Sequence, residues 1–120
     1  MEFKELKKHI LNELDELQAA DTKEIDVYGI TSITDLFIIC SGRSTRHVKA
    51  IASKLVEKLK HISEPAMSIS GMETGEWALI DCGDMIVHIM TKDVRAFYNL
   101  EELWTIDKKS SDTTEETVTD

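Results

Sequence analysis
Residues 77–90 read Trp77-Ala78-Leu79-Ile80-Asp81-Cys82-Gly83-Asp84-Met85-Ile86-Val87-His88-Ile89-Met90. Two apolar runs meet at a Gly-containing pair bracketed by Asp, which is hairpin chemistry. With Cys82 and Gly83 as the central turn residues, Asp81 falls opposite Asp84 and Trp77 opposite His88. Side chains alternate along a strand, so Ala78, Ile80, Met85, Val87 and Ile89 share one wholly apolar face, which must be core. The other face carries Trp77, Leu79, Asp81, Asp84, Ile86, His88 and Met90. Half apolar and half polar, with a Trp beside a His, it reads as a surface built to be covered by something other than its own chain.

Upstream, Phe3, Leu6, Ile10, Leu14 and Leu17 recur at helical spacing, which predicts a helix over 3–20. Residues 24–28 read as a first strand, and Gly29 marks the turn after it. Leu36 to Cys40 is an unbroken apolar run, as expected of a central strand buried on both sides. Ser41-Gly42-Arg43-Ser44 then delivers the chain to a second helix over 45–61, with Ser44 as its N-cap. Val48, Ile51, Ala52, Leu55, Val56 and Leu59 form its apolar stripe, and Pro65 follows its stop. Residues 66–70 suit a short edge strand. Asp93 can cap a last helix over 94–104, with Phe97, Leu100 and Trp104 on one side and Tyr98 freer. The order is helix, two strands, helix, strand, hairpin, helix. It predicts an α+β fold, a mixed sheet of about five strands with helices packed on it.

Residues 107–120 hold a single apolar residue, Val118, and no periodicity. The expected organisation is one domain over 1–104 and a disordered acidic tail over 105–120. The chain has 120 residues, of which 42% are hydrophobic and 31% charged, enough for one substantial core. Its formal charge of −9 argues against holding nucleic acid through phosphates and favours a basic protein partner. No apolar run approaches the roughly 18 residues of a membrane span. The first residues lack the apolar core of a signal peptide. Cys40 and Cys82 lie in apolar segments, so free thiols in a reducing cytoplasm are expected.

Several constellations could carry chemistry. The Ser41–Ser44 junction could hold a phosphate on free backbone N–H groups, with Arg43 or Arg46 as clamp. It lacks a GxxxxGKS pattern and has only one glycine, so a capped helix after a Gly turn is the favoured reading. Asp81 and Asp84 could pair around a metal, but two carboxylates supply too few ligands, and Asp favours turns in any case. Cys40, Cys82, His47 and His88 have no metal-ligand spacing. A Cys–His nucleophile would need a low thiol pKa, which apolar surroundings oppose. For Trp77, alternation leaves two places open: beneath a neighbouring helix, or exposed as an interface anchor.

Three segments resemble the ribosomal silencing factor family RsfS, also called Iojap or YbeB. They run from Thr34 to Val48, from Gly75 to His88 and from Arg95 to Trp104. The resemblance covers residues 3–104 in order and rests on long, jointly specific motifs. It implies a factor that binds the large ribosomal subunit on its intersubunit face, through ribosomal protein number fourteen in the universal naming. Occupying that protein obstructs joining of the small subunit and represses translation when nutrients are short. The family's fold looks like that of nucleotidyltransferases, which use a Gly-Ser turn followed by Asp-x-Asp. Ser41-Gly42-Arg43-Ser44 sits near the right place here, but no Asp-x-Asp follows, so the resemblance implies a catalytic fold reused for binding.

The expected contact surface is Trp77, Leu79, Asp81, Asp84, Ile86 and His88, with Arg95 and Tyr98 nearby. Trp77 and Leu79 would supply buried apolar area, and the two Asp residues would meet Lys or Arg of a basic protein. No catalytic residue, metal, cofactor, sequence-specific nucleic acid or membrane is expected. Two other readings stand beside this one. A residual nucleotidyl-transfer enzyme would use Ser41, Ser44, Arg46 and Asp81. A homodimer would let two hairpin faces cover each other.

Overall fold
A computed structural model describes residues 1–104; the expected acidic tail lies outside the described residues. Helix α1 (Phe3–Glu16) leads to strands β1 (Ala20–Asp26) and β2 (Leu36–Gly42), helix α2 (Thr45–His61), strands β3 (Ser68–Ser70), β4 (Trp77–Asp81) and β5 (Met85–Thr91), and helix α3 (Lys92–Tyr98). One sheet holds all five strands in the order β1-β2-β5-β4-β3. Only the central pair, β2 and β5, runs parallel; β1, β4 and β3 join antiparallel. This is the predicted mixed α+β sheet. Every residue of β2 is buried, as an unbroken apolar run at the centre of a sheet requires.

The two faces are covered unequally. Leu6, Ile10 and Leu14 of α1 join Val48, Ile51, Ala52, Leu55 and Leu59 of α2 over one face. There they meet Leu36, Ile38, Cys40, Ala78, Ile80, Met85, Val87 and Ile89. The hairpin's apolar face is thus core, as alternation predicts. The opposite face carries a smaller cluster, Val27, Phe37, Ile39, Ile86 and Met90. Trp77, Leu79, Val94, Leu100 and Trp104 pack against it.

Helix α1 stops at Glu16, short of the predicted residue 20. Gln18 takes the left-handed conformation (φ 63°), and the N–H groups of Gln18 and Ala19 bond back to Asp15 and Leu14. That Schellman closure frees Ala20 to open β1, earlier than the predicted residue 24. Helix α2 matches its predicted span and closes the same way: Ser63 (φ 63°) donates to Lys60 and Glu64 to Leu59. Strand β3 is the predicted edge strand, shortened to three residues.

The hairpin turn and the last helix also differ from expectation. The hairpin turns on Gly83 and Asp84, not on Cys82 and Gly83: the Cys82 N–H bonds the Met85 carbonyl at 2.9 Å, and Gly83 has φ 88°. Gly at the first central position is the pattern of a type II′ turn, which needs φ > 0 there. Asp81 therefore pairs with Ile86 rather than Asp84, and Trp77 with Met90 rather than His88. The slip is even, so both faces keep their members. The second correction concerns the last helix. Thr91, not Asp93, caps it, and Asn99 (φ 48°, ψ 54°) breaks it before residues 100–104 resume helical form.

Candidate functional site
The mixed face of the hairpin is built around one side-chain hydrogen bond. The indole N–H of Trp77 donates to Nδ1 of His88 at 3.0 Å. Leu79 is directly opposite His88, so Trp77 reaches it on the diagonal, within range of a long aromatic side chain. Because Nδ1 accepts, the proton of the neutral ring belongs on Nε2. That atom is buried and meets no hydrogen-bond partner among the described residues. His88 is only 5% exposed, and burial pushes its pKa down to about 4. It is a neutral acceptor that orients the indole.

The rings continue on both sides. Phe37 stands edge-on to His88 (4.7 Å between centroids) and to Trp104 (5.1 Å). Trp77 rests on Tyr98 at 5.0 Å, and Tyr98 meets Phe97 edge-on at 5.1 Å. Six rings thus run from the sheet interior, through a half-buried Trp77, to Tyr98 (52% exposed) and Phe97 (81% exposed). Phe97 is a correction: one continuous helix would pack it with Leu100 and Trp104, but the break at Asn99 leaves it in solvent. The cue was Asn99 itself, since Asn tolerates the left-handed conformation that ends helices. A shallow groove of about 500 Å³ beside these rings is lined by Thr74, Glu76, Trp77, Asp93, Val94, Phe97 and Tyr98. It is aromatic at its base and acidic at its rim.

The other expected residues take different places. Leu79 is half-buried against the small cluster, and Ile86 is buried within it. Asp81 is half-buried, and its Oδ1 accepts from the Gly83 N–H at 2.8 Å, so it shapes the turn. Asp84 is exposed at the hairpin tip. The mixed face is therefore substantially covered by its own chain, contrary to expectation. Trp77, Tyr98 and Phe97 form its open end, and Asp84 stands at the tip.

Arg95 turns inward. Its Nε and Nη2 donate to the two Glu101 carboxylate oxygens at 3.0 and 2.8 Å, and Nη1 donates to Ser41 Oγ at 2.9 Å. These hydrogen bonds hold the Glu101 carboxyl below its ordinary pKa. The pair ties residues 100–104 to the end of β2, keeping Trp104 over Phe37.

The elements of a transferase site do not come together. Ser41 is buried and serves Arg95. Ser44 caps α2, accepting from the His47 N–H at 3.1 Å. The His47 ring accepts from the Arg43 N–H and donates Nε2–H to the Leu17 carbonyl, both at 2.9 Å, fastening the loop to the end of α1. Ser41 lies level with Met90, whereas Asp81 lies level with Ile86. Four residues of strand, about 13 Å at roughly 3.3 Å each, separate those levels. Among the described residues no group of three His, Cys, Asp or Glu side chains could hold a metal ion. Burial pushes the Cys40 thiol up to about 12 and the Cys82 thiol up to about 11, which suppresses nucleophilic thiolate. No helix among the described residues is long and apolar enough to cross a membrane.

The family described as "Ribosomal silencing factor during starvation", RsfS, matches residues 1–120 of the sequence. The chain belongs to the RsfS family. It is 40% identical over 99 residues to the ribosomal silencing factor RsfS of Zymomonas mobilis, covering 82% of this chain and 74% of that one. A crystal structure of protein CV0518 from Chromobacterium violaceum shares 37% identity and superposes with a TM-score of 0.84 over 88% of both chains. A mouse protein named "Mitochondrial assembly of ribosomal large subunit protein 1" is 42% identical over 76 residues, 61% of this chain and 33% of its own length. Like other members of the RsfS family, the chain is a ribosome-associated regulatory factor and a ribosomal silencing factor.

Proposed function
We propose that this factor silences translation by docking its Trp77–Tyr98–Phe97 surface on a ribosomal protein, number fourteen in the universal naming, at the intersubunit face of the large subunit. Bound there, it excludes the small subunit sterically, and it does so in the cytoplasm when nutrients are limiting. The observation that carries this reading is an aromatic surface braced from within: Trp77 is oriented by His88 while Phe97 and Tyr98 stand in solvent. Rigid, partly exposed aromatics are the side chains that make binding hot spots. The acidic rim, Glu76 and Asp93, with Asp84 at the hairpin tip, complements a basic ribosomal protein and speeds its encounter. The name of the mouse relative, which speaks of the large subunit, supports the same target.

Light scattering of purified subunits tests the steric block. Titrating the chain onto large subunits before adding small ones should abolish joining in proportion to occupancy. Full joining at saturating occupancy would contradict it.

A further inference from the structure
Helix α2 is out of keeping with the chain's charge. It holds Arg46, Lys49, Lys54, Lys58 and Lys60, five of the fourteen Lys and Arg residues, but only Glu57 of the 23 Asp and Glu residues. Among the described residues none of these five cations forms an ion pair, although the chain carries a large excess of carboxylates. The apolar stripe of α2 is fully used by the core, so the cations occupy the outward side. From Arg46 to Lys60 they extend about 21 Å along the helix at ~1.5 Å per residue. Ala50 and Ser53, exposed between them, are small, and the face has no aromatic residue.

We propose that this outer face of α2 binds RNA phosphates, as a second, sequence-independent contact with the large subunit; it rests on the reading of the chain as a large-subunit factor. Protein interfaces are depleted in Lys and need aromatic or aliphatic anchors, which this face lacks. A broad band of cations without ion pairs, interrupted on the helix by Glu57 alone and neighboured by Glu13 beside Lys54 and Lys58, supplies the positive charge that phosphate contact requires. The helix covers the opposite side of the sheet from the aromatic surface, and only its first residues come near that surface. The groove beside Trp77 shares Glu76, Asp93 and Val94 with a second groove lined by Arg43, Ser44 and Thr45 at the start of α2. The two contacts would therefore engage separate parts of the large subunit, one of protein and one of RNA. The overall charge of −9 hides this because it averages an acidic body with a basic helix.

The test is the salt dependence of binding to isolated large subunits, for the full chain and for Arg46→Gln/Lys54→Gln/Lys60→Gln. Gln keeps helix propensity, and circular dichroism checks the fold. The slope of log affinity against log salt should become shallower by about 2, at roughly 0.7–0.9 for each phosphate no longer neutralised. Affinity at low salt should fall at least tenfold. An unchanged slope and affinity would overturn the proposal. A photo-crosslinker on Ser53→Cys, in a Cys82→Ser background, should capture ribosomal RNA; capture of protein alone would equally overturn it. Trp77→Ala separates the two readings. If it binds normally while the triple variant loses its slope, the hairpin surface falls and the α2 face stands. Failure of the parent chain to bind subunits at all would overturn both.

Discussion

Trp77 and His88 are joined by a hydrogen bond in which the imidazole accepts, since the indole N–H can only donate. Burial, which lowers the His88 pKa to about 4, keeps Nδ1 free of a proton. The bond couples the orientation of the exposed aromatic surface to the protonation state of one ring beneath it.

Stability should therefore depend on pH through His88. Its folded-state pKa is lowered from 6.5 to about 4, so below pH 6.5 the unfolded state takes up a proton that the folded state refuses. The stabilisation is complete above about pH 6.5 and is lost as pH falls toward 4. Urea unfolding at pH 5 should show about 2 kcal/mol less stability than at pH 7, from ~1.4 kcal/mol per pH unit. His88→Phe should remove this part of the drop; an unchanged profile would show that the group is not His88.

The Arg95–Glu101 pair should act as a strut for Trp104. Glu101→Ala leaves a mostly buried guanidinium without its carboxylate, although Ser41 Oγ remains. A cost of about 1–2 kcal/mol is expected, below that of a fully buried pair because Glu101 is partly exposed. Trp104 should move toward water, shifting tryptophan emission to longer wavelength. Unaltered emission would contradict the strut.

Gly71 should be intolerant of any side chain. It sits at φ 82°, and a Cβ built there would lie 1.9 Å from the Trp77 carbonyl oxygen. Gly71→Ala must displace the start of β4, so a loss above about 2 kcal/mol is expected, measured by thermal or urea unfolding. Wild-type stability would mean that the close approach is not maintained.

Ser63 offers the opposite case. It closes α2 in the left-handed conformation, which costs a non-glycine residue about 1 kcal/mol. Ser63→Gly relieves that strain at some cost in chain entropy, and a net gain of about 0.5 kcal/mol is expected. A loss of stability would contradict the closure described.

What was legible in the sequence divides along physical lines. The span of α2 was readable because a Ser cap, an apolar stripe and a downstream Pro agree on its limits. The two hairpin faces were readable because alternation survives any even slip, whereas the register was not, since Gly83 can serve either central turn position. The end of α1 was not, because Gln18 takes the left-handed conformation without glycine to announce it. The end of α3 was cued only by Asn99, a residue that tolerates that conformation but does not demand it. In the candidate site, the neighbourhood of Trp77 and His88 followed from alternation. The exposure of Phe97 and the inward turn of Arg95 depended on the break at Asn99 and on a carboxylate six residues along, which periodicity does not register. The charge of α2 was visible throughout but was masked by averaging over an acidic chain.

The central claim is that the Trp77–Tyr98–Phe97 surface is what the large subunit sees. Phe97 is 81% exposed, so Phe97→Ala should leave the fold intact while removing an anchor. The most direct measurement is the affinity of parent, Phe97→Ala and Trp77→Ala chains for isolated large subunits by co-sedimentation. Both variants should bind at least about 30-fold more weakly, the equivalent of ~2 kcal/mol for a hot-spot aromatic, with Phe97→Ala showing the parent's unfolding transition. Parent-like affinity for both variants would contradict the account.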